Sequence, residues 1–191
     1  MLGVPRERRG VITNEYLEII HGLWTEQEVT YHGSFVQLDN VAGIRAHVTD
    51  DRQHPPVWVG GRSDAALTRA IWFGADWHPN RMMPGWLRDT GMLRLQELTK
   101  ELDGRLPALC PRIQIEITET TVVTEERIIG IGTVEQVHED FALLELLCAE
   151  HVLLDWYVQS DPATVQSDEQ AWRQLAQVAD QVVDLKNQAV R

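Results

Sequence analysis

Four short apolar segments, each followed by a segment with helical periodicity, constrain the fold of this chain most strongly. They read VWVGG, ADWHP, PRIQIEIT and HVLLDWYV along the sequence. Strands that alternate with helices pair in parallel, because each crossover returns the chain to the same edge of the sheet. Short aliphatic strands also suit a sheet that is covered on both faces. The sequence therefore predicts an α/β fold with about four parallel strands and right-handed helical crossovers.

The region before the first strand predicts a helix and a hairpin. Residues 1–12 are basic and irregular, and Thr13 can cap a helix over residues 13–24. Residues 29–48 alternate apolar and polar side chains around Gly33 and Gly43, which is typical of a short hairpin or an extended excursion. The apolar face predicted for the helix contains Tyr16, Leu17, Ile20, Leu23 and Trp24.

Capping signals also place the crossover helices. One helix is predicted to begin at Ser63 or Asp64 and to stop at Gly74. The next runs over PGWLRDTGMLRLQELTKELDG and is predicted to be closed by Gly104. After a polar connection, TEERIIGIGT, a capping box formed by Thr133 and Gln136 starts the next helix. The last helix is predicted to be long and amphipathic, with an apolar face formed by Trp172, Leu175, Val178, Val182 and Leu185.

Length, charge and cysteine content narrow the class of protein. The 191 residues suit a single domain with a helix plus insertion at 1–56, strands and crossover helices at 57–158 and a C-terminal helix at 168–190. The net charge of −12 argues against nucleic acid and anionic membranes as partners. Cys110 and Cys148 are too few for a disulfide framework, and no stretch reads as a membrane span or a secretory signal. We therefore expect a cytoplasmic protein.

The segment VGGRSDAAL is the strongest candidate for ligand binding. Gly60 and Gly61 let a ligand approach the backbone closely, and the following helix directs its positive end to the same place. Arg62 and Ser63 could add hydrogen bonds to phosphate oxygens. A plain turn capped by Ser63 is the alternative, since the spacing is neither a Walker loop nor GxGxxG. Replacing Gly61 with a β-branched residue is expected to weaken ligand binding much more than folding.

The other strand ends supply further candidates, because sites in parallel α/β folds lie at the carboxyl ends of strands. Trp77 and His78 end the second strand and are candidates to line a cofactor pocket, although His78 could equally be structural. Asp155 and Trp156 end the fourth strand and are candidates for the substrate pocket. A metal site could be assembled from a few acidic and histidine side chains, but no ligand spacing demands one, and no GxSxG elbow indicates a hydrolase.

Three segments resemble the luciferase-like monooxygenases, and most of all the branch that uses coenzyme F420. They are RRGVITNEYLEIIHGLWTEQEVTYHGSFVQLDNV, HPPVWVGGRSDAALTRAIWFGADWHP and IGTVEQVHEDFALLELLCAEHVLLDW. The resemblance implies a (β/α)8 barrel that binds a flavin or deazaflavin at its carboxyl face and transfers hydride. It also implies that Gly60, Gly61 and Ser63 hold the cofactor's phosphate, and that Trp77 and His78 line the pocket.

The predicted strands match only the last four β/α units of that barrel, so the resemblance implies a partial TIM barrel. A complete barrel needs eight strands and about 250 residues. The family's first four strands supply residues near the hydride-transfer centre, and we therefore assign no catalytic residue. A half barrel leaves two strand edges and an inner face without cover. It could pair with a complementing N-terminal half or form a homodimer.

Two functions remain open from the sequence besides a metal-dependent barrel hydrolase, which requires stoichiometric zinc or a similar ion. The first is an oxidoreductase that uses coenzyme F420, or alternatively FMN, and passes hydride to or from a small organic substrate. The second is a catalytically incomplete half barrel that binds a phosphate group or a partner chain without turnover. Binding of either cofactor by the isolated chain separates the two, because the second function requires no cofactor.

Overall fold

The computed structural model describes residues 6–44, 54–155, 167–187 and 189–191 of the chain. A 3-10 turn at Arg6–Arg8 leads into the first helix, and a π-helical turn lies at Leu87–Gly91. Within the described residues, no helix is both long and apolar enough to cross a membrane. The helices are α1 (Arg9–Thr25), α2 (Asp64–Trp72), α3 (Pro84–Trp86), α4 (Met92–Glu101), α5 (Val134–Leu146) and α6 (Asp168–Gln181).

The strands are short, and most of them pair in parallel. Strands β1 (Glu28–His32) and β2 (Gln37–Ala42) pair antiparallel and form the predicted hairpin. A second antiparallel pair, β9 and β10, lies near the C-terminus. The remaining strands are β3 (Trp58–Gly60), β4 (Asp76–His78), β5 (Arg112–Gln114), β6 (Glu116–Ile117), β7 (Ile131–Gly132) and β8 (Leu153–Asp155), followed by β9 (Val183–Asp184) and β10 (Ala189–Val190).

Four of these strands lie side by side in the order β3-β4-β5-β8. β3 pairs in parallel with β4, and β5 pairs in parallel with β8. Two parallel bridges, Trp77 with Leu109 and Asn80 with Arg112, connect β4 to the segment that contains β5. The prediction of parallel strands is therefore confirmed for these four segments, and the structure makes each strand shorter than its apolar run.

The two faces of this sheet differ in cover. Val59, Trp77 and Ile113 point to one face and are buried. Trp77 and Ile113 belong to a cluster with Leu67 and Leu95, and Val59 to a cluster with Ala70. Because side chains alternate along a strand, their neighbours point to the opposite face. That face is called the open face below. It presents an exposed Trp58 and side chains of intermediate exposure, which are Asp76, His78, Arg112, Gln114 and Asp155.

The sequence predicts a polar connection before α5, but the last part of that segment forms strand β7, so the prediction is wrong there. β7 pairs in parallel with β6, and the Ile129 amide donates to the Met82 carbonyl at 2.8 Å. Ile129 is fully buried in the main core. The apolar side chains of IIGI therefore bind this segment to the sheet, even though TEER precedes it.

Helix α1 begins four residues earlier than predicted and buries a different face. The Thr13 hydroxyl does not cap the helix and instead donates to the Arg9 carbonyl at 2.7 Å. Glu15 is buried, because its carboxylate accepts the backbone amides of residues 34–36 at 2.8–3.2 Å. This turns Ile12 and Ile19 inward and leaves two members of the predicted apolar face, Tyr16 and Ile20, exposed.

Two helix ends also differ from the predictions. The sequence predicts that Gly104 closes α4, but the left-handed backbone conformation after this helix belongs to Asp103, with φ +50°. A Cβ on Gly104 would lie 2.3 Å from Ile71 Cγ2, so the position needs a residue without a side chain. Helix α6 ends at Gln181 and not at residue 190, because Asp184 Oδ1 accepts the Lys186 and Asn187 amides and reverses the chain. Leu185 lies beyond this shorter helix and is exposed, and Trp172 is exposed within it, so neither belongs to a buried apolar face as predicted.

The capping box predicted for α5 is confirmed. The Thr133 hydroxyl accepts the Gln136 amide, and Gln136 Oε1 accepts the Thr133 amide. Gln136 also bonds both backbone groups of Val122, which fastens the preceding loop to the start of the helix.

Replacing Thr133 with alanine is expected to lower the free energy of unfolding by about 1 kcal/mol, because the first turn of α5 loses its hydroxyl acceptor. Urea denaturation measures this loss. Thr25→Ala is the matched control, since the Thr25 hydroxyl donates only to the His21 carbonyl of its own helix. Equal stability losses in the two variants would contradict the capping role.

Candidate functional site

The turn between β3 and α2, Gly60–Ser63, is called the glycine corner here. Gly61 has φ +112°, and a Cβ at this position would lie 2.9 Å from Ala66 Cβ. Both facts require glycine, because L-residues rarely adopt this conformation. At Gly60 the nearest atom to an added Cβ is the His78 carbonyl oxygen at 3.6 Å, which is an ordinary contact. Gly61 is therefore needed for the fold, whereas Gly60 leaves room that a ligand could use.

Trp77 contacts the glycine corner from the protein interior. Its side chain has no exposed surface, and its indole Nε1 donates to the Gly61 carbonyl at 2.8 Å. The ring also packs against Trp86, with ring centroids 6.3 Å apart. The sequence places Trp77 among pocket-lining residues, but a ring with no exposed surface positions the corner and does not contact a ligand directly.

Ser63 occupies the N-cap position of α2 without capping it. Its backbone is extended, as at a normal N-cap, but its hydroxyl makes no capping hydrogen bond to the described residues. By contrast, Ser167 and Thr133 both cap their helices through their side chains. Ser63 is exposed, so its hydroxyl and the first amides of α2 are available to an anion.

The charges around this helix start are of both signs, and Arg94, the partner of Asp64, also pairs with Glu97 and Glu101. Asp64 follows Ser63, but its carboxylate accepts two bonds from Arg94 at 2.8 and 3.1 Å, and these bonds hold its pKa below the usual range. Arg62 is tied to the other side of the corner, where it donates to the Arg81 carbonyl at 3.1 Å and lies 5.2 Å from the Trp86 ring centroid. Its predicted role in phosphate binding is untested by these contacts.

A cavity of about 470 Å³ adjoins the corner, between α1 and β3. It is called the β3 cavity below. Gly60 and Ser63 form part of its wall, together with the cationic side chains of Arg9 and Arg69 and one acidic residue, Glu7. Arg69 is fixed by bonds to the Asn14 side chain at 2.6 Å and the Gly10 carbonyl at 3.1 Å. Sequence reasoning missed both arginines, because the cavity that they line forms only where α1 packs against α2 and β3.

His78 lies on the open face next to a tryptophan that sequence reasoning also missed. The rings of His78 and Trp58 stack with centroids 5.1 Å apart and an interplanar angle of 29°. His151 approaches the same indole from another strand end, at 5.7 Å. His78 Nδ1 is hydrogen-bonded to the Cys110 carbonyl, which fixes the orientation of the imidazole. Strand alternation could have found Trp58, since it lies two positions before Gly60 on the same face.

The predicted substrate-pocket residues divide between described and undescribed parts of the chain. Asp155 ends β8 on the open face, and its carboxylate accepts Arg112 Nε at 2.8 Å as well as Arg112 Nη2. The negative charge of the Asp155 carboxylate is thus paired with the Arg112 guanidinium of the neighbouring strand. Trp156 lies outside the described residues. In the described ranges, no group of three or more His, Cys, Asp or Glu side chains is arranged to hold a metal ion.

Comparison with protein families gives a match over residues 1–103, more than half of the chain, to the family described as luciferase-like monooxygenase. The chain belongs to the luciferase-like monooxygenase family. The match includes the hairpin, β4 and α4, and the glycine corner and the residues that line the β3 cavity fall within it.

Curated relatives of this luciferase-like chain match a shorter stretch. Uncharacterized proteins from Mycobacterium bovis and from two strains of Mycobacterium tuberculosis are 37% identical over 70 residues. That stretch is 37% of this chain and 23% of each relative. The chain therefore matches less than a quarter of the length of these relatives.

Solved structures of similar fold belong to redox enzymes. An F420-dependent secondary alcohol dehydrogenase, in complex with an F420-acetone adduct, superposes with a TM-score of 0.59 and 14% identity over 79% of this chain. The monooxygenase RslO1 from Streptomyces bottropensis superposes with a TM-score of 0.64 and 13% identity over 93% of this chain. The luciferase-like chain covers 57% and 62% of these two structures, so the likeness establishes a shared mixed α/β fold over that part.

Proposed function

We propose that this chain is the cofactor-phosphate-binding part of a flavin- or deazaflavin-dependent oxidoreductase. In this proposal it is a single luciferase-like domain fragment that corresponds to the last four β/α units of a TIM barrel. Coenzyme F420 is the favoured cofactor and FMN the alternative. Family membership and the uncapped Ser63 beside two arginines support the proposal, and the availability of that hydroxyl is the observation that carries it.

The residues around the glycine corner fit a phosphate group. An anion at the start of α2 would accept hydrogen bonds from the Ser63 hydroxyl and from the first-turn amides, with the helix dipole favouring its charge. Arg9 and Arg69 line the adjoining cavity and would add positive charge to this attraction, and the Asp64 carboxylate pairs with Arg94. Gly60 leaves the approach to the backbone open.

The open face offers a surface for a planar ring. Trp58 and His78 are stacked and partly exposed, which is an arrangement that accommodates flat heterocycles. When bound, the cofactor supplies hydride transfer, at C5 of a deazaflavin or N5 of a flavin, to or from a small organic substrate. The role of this chain is to bind and orient the cofactor. Its own residues are assigned no proton-transfer step.

Ser63→Ala is expected to weaken FMN and F420 binding by about tenfold or more, because one hydrogen bond to a charged phosphate contributes about 1.5–3 kcal/mol. Gly60→Val is expected to weaken binding further, since its side chain would occupy the approach to the corner. Fluorescence titration of the isolated chain with each cofactor measures both effects. Thermal stability should change little in either variant, given the contacts at these positions.

Two controls make the titration specific for phosphate. Riboflavin lacks the phosphate, so Ser63→Ala should leave its affinity unchanged. Ser167→Ala removes a hydroxyl from another helix start, where it caps α6, and should lower stability without changing affinity. Wild-type affinity in both Ser63→Ala and Gly60→Val would refute the phosphate site. Failure of the wild-type chain to bind either cofactor would favour the non-catalytic half barrel.

A further inference from the structure

The π-helical turn that follows α3 brings two tryptophan rings against each other near the glycine corner. An added Cβ on Gly91, inside this turn, would lie 3.0 Å from two atoms of the Trp86 ring and 3.1 Å from the Trp77 ring. The centroids of the two rings are 6.3 Å apart, and the rings meet edge to face. Trp77 is itself fixed, because its indole donates to the Gly61 carbonyl. The turn therefore holds Trp86 in a defined place beside the corner.

The Trp86 ring supports the guanidinium of Arg62, which belongs to the glycine corner. The Arg62 Cζ atom lies 5.2 Å from the centroid of the Trp86 ring, within the range of a cation–π interaction. A second contact comes from the neighbouring strand, where the Arg81 carbonyl accepts Arg62 Nη1 at 3.1 Å. Arg81 lies just beyond the carboxyl end of β4. The two contacts therefore hold the guanidinium beside the carboxyl ends of β3 and β4.

The backbone that supplies this carbonyl has an uncommon conformation. Arg81 has φ +50°, in the left-handed region that residues with a side chain seldom adopt. Its neighbours fix it on both sides, since Asn80 forms a bridge with Arg112 and Met82 is buried. Such a conformation persists only where the surrounding structure imposes it. The acceptor of the Arg62 guanidinium is thus part of a rigid turn.

These contacts leave most of the hydrogen-bonding capacity of Arg62 for a ligand. A guanidinium has five N–H donors and no acceptor, and it binds phosphate or carboxylate oxygens in pairs. Among the described residues, the Arg81 carbonyl accepts from one of these donors, and no carboxylate pairs with Arg62. The carboxylate nearest to it in sequence, that of Asp64, pairs with Arg94 instead. Arg62 is therefore a cation that is held in place with its donors available.

We propose that Trp86 is a positioning residue of the phosphate site, which holds the Arg62 guanidinium in place to bind the phosphate of the cofactor. This inference rests on the proposed function and adds a residue that does not itself contact the ligand. An arginine side chain loses rotamer freedom when it binds an anion, and that loss opposes binding. Stacking on an aromatic face restricts the side chain before the ligand arrives. The phosphate then accepts hydrogen bonds from Ser63 and the first amides of α2, and also from Arg62.

Fluorescence titration of the full chain with FMN and with riboflavin measures the contribution of Trp86. Trp86→Leu should weaken FMN binding about two- to fivefold, which is the range of an exposed cation–π contact. Riboflavin affinity should not change, because riboflavin lacks the phosphate. Trp86→Phe keeps an aromatic face under the guanidinium and should retain most of the FMN affinity.

Combining Trp86→Leu with Arg62→Met separates positioning from a general effect on the fold. Arg62→Met alone should weaken FMN binding about tenfold or more, because a charged hydrogen bond to phosphate is lost. Since Trp86 acts through Arg62, adding Trp86→Leu to that variant should weaken FMN binding no further. Arg173→Met is the matched control, because this exposed arginine pairs with Glu169 on another helix, and its loss should leave FMN affinity near wild type.

The same titrations contain the results that would overturn the inference. Losses that add in the double variant would show that Trp86 acts on the fold of the corner and not through Arg62. Unchanged or tighter FMN binding in Trp86→Leu would exclude a positioning role. Arg62 is exposed, so Arg62→Met should fold even where Trp86→Leu does not, and unchanged FMN affinity in Arg62→Met would be sufficient to reject the inference.

Ser63→Ala distinguishes a failure of this inference from a failure of the proposed function. Weaker FMN binding in Ser63→Ala but not in Arg62→Met would leave the phosphate site standing and remove only the role of Trp86 and Arg62. A wild-type chain that binds FMN no better than riboflavin, with no effect of Ser63→Ala, would reject the phosphate site and this inference together.

Discussion

Replacing Asp140 with alanine is expected to lower the free energy of unfolding by about 3–5 kcal/mol, the largest loss that we predict for a single polar residue. Asp140 is 1% exposed, and its carboxylate accepts Arg127 Nη2 at 2.6 Å and Nη1 at 2.7 Å. It also accepts the Gly130 amide at 2.8 Å. Truncation would leave a half-buried guanidinium and a buried amide without their acceptor.

The position of Asp140 explains why the loss should be large. Burial raises the pKa of this carboxyl, and the Arg127 and Gly130 bonds oppose the rise. The same residue joins α5 to the loop that forms β7, where Gly130 has φ +89° and approaches the Gln114 carbonyl. Its removal should therefore loosen β6, β7 and the start of α5 together.

Guanidinium chloride denaturation of Asp140→Ala measures the change, with Asp140→Asn as a variant that keeps the shape and one acceptor oxygen. Glu169→Ala is the surface control, because the Glu169–Arg173 pair is solvent-exposed and should contribute almost nothing. A stability loss in Asp140→Ala no greater than in Glu169→Ala would show that the buried pair does not stabilise the fold.

Replacing Trp77 with alanine is expected to cost about 3–5 kcal/mol, because the side chain fills the centre of the main core. Trp77 packs between the sheet and the π-helical turn, where an added Cβ on Gly91 would lie 3.1 Å from its Cη2 atom. Gly91 therefore permits the close approach of the indole. Truncation would leave a large cavity between β4 and this turn.

Trp77→Phe separates packing from the hydrogen bond to the Gly61 carbonyl. It keeps most of the apolar contact but removes the Nε1 donor, so the glycine corner loses its fixed carbonyl. We expect a smaller stability loss than in Trp77→Ala, together with weaker FMN and F420 binding. Trp72→Ala is the matched control, since Trp72 is 63% exposed and its loss should leave both measurements near wild type. Unchanged cofactor affinity in Trp77→Phe would contradict a positioning role.

Local signals in the sequence predicted the elements that depend on local interactions. The capping box of Thr133 and Gln136 involves residues three apart, and the structure forms it as predicted. Gly74 ends α2 with φ +59°, also as predicted. The alternation of strands and helices predicted the parallel pairing, because crossover geometry leaves few alternatives.

Predictions failed where distant residues decide the structure. The buried face of α1 follows from Glu15, whose carboxylate binds a loop about twenty residues later. The end of α6 follows from Asp184, which stops a helix that its apolar periodicity would continue. Sequence reasoning also expected Gly61 to matter mainly for a ligand. Its φ of +112° shows that any side chain there strains the fold, which makes Gly60 the cleaner test of ligand approach.

The candidate site was predictable only in part for the same reason. The glycine corner and His78 lie at strand ends that the sequence marks directly. Arg69, near the end of α2, and Arg9, at the start of α1, line the cavity beside the corner. The bonds from Arg69 to Asn14 and Gly10 join residues more than fifty positions apart, and no local spacing encodes them.

The serine at the start of α2 has a consequence for how this position should vary. A residue whose hydroxyl stabilises no turn of its own protein is under little selection from folding. A library of all twenty amino acids at position 63, sorted only for folded protein, should accept many of them. The same library sorted for retention on an immobilised cofactor should return to serine and threonine. The amino acids recovered from the two selections would therefore show whether position 63 is constrained by folding or by cofactor binding.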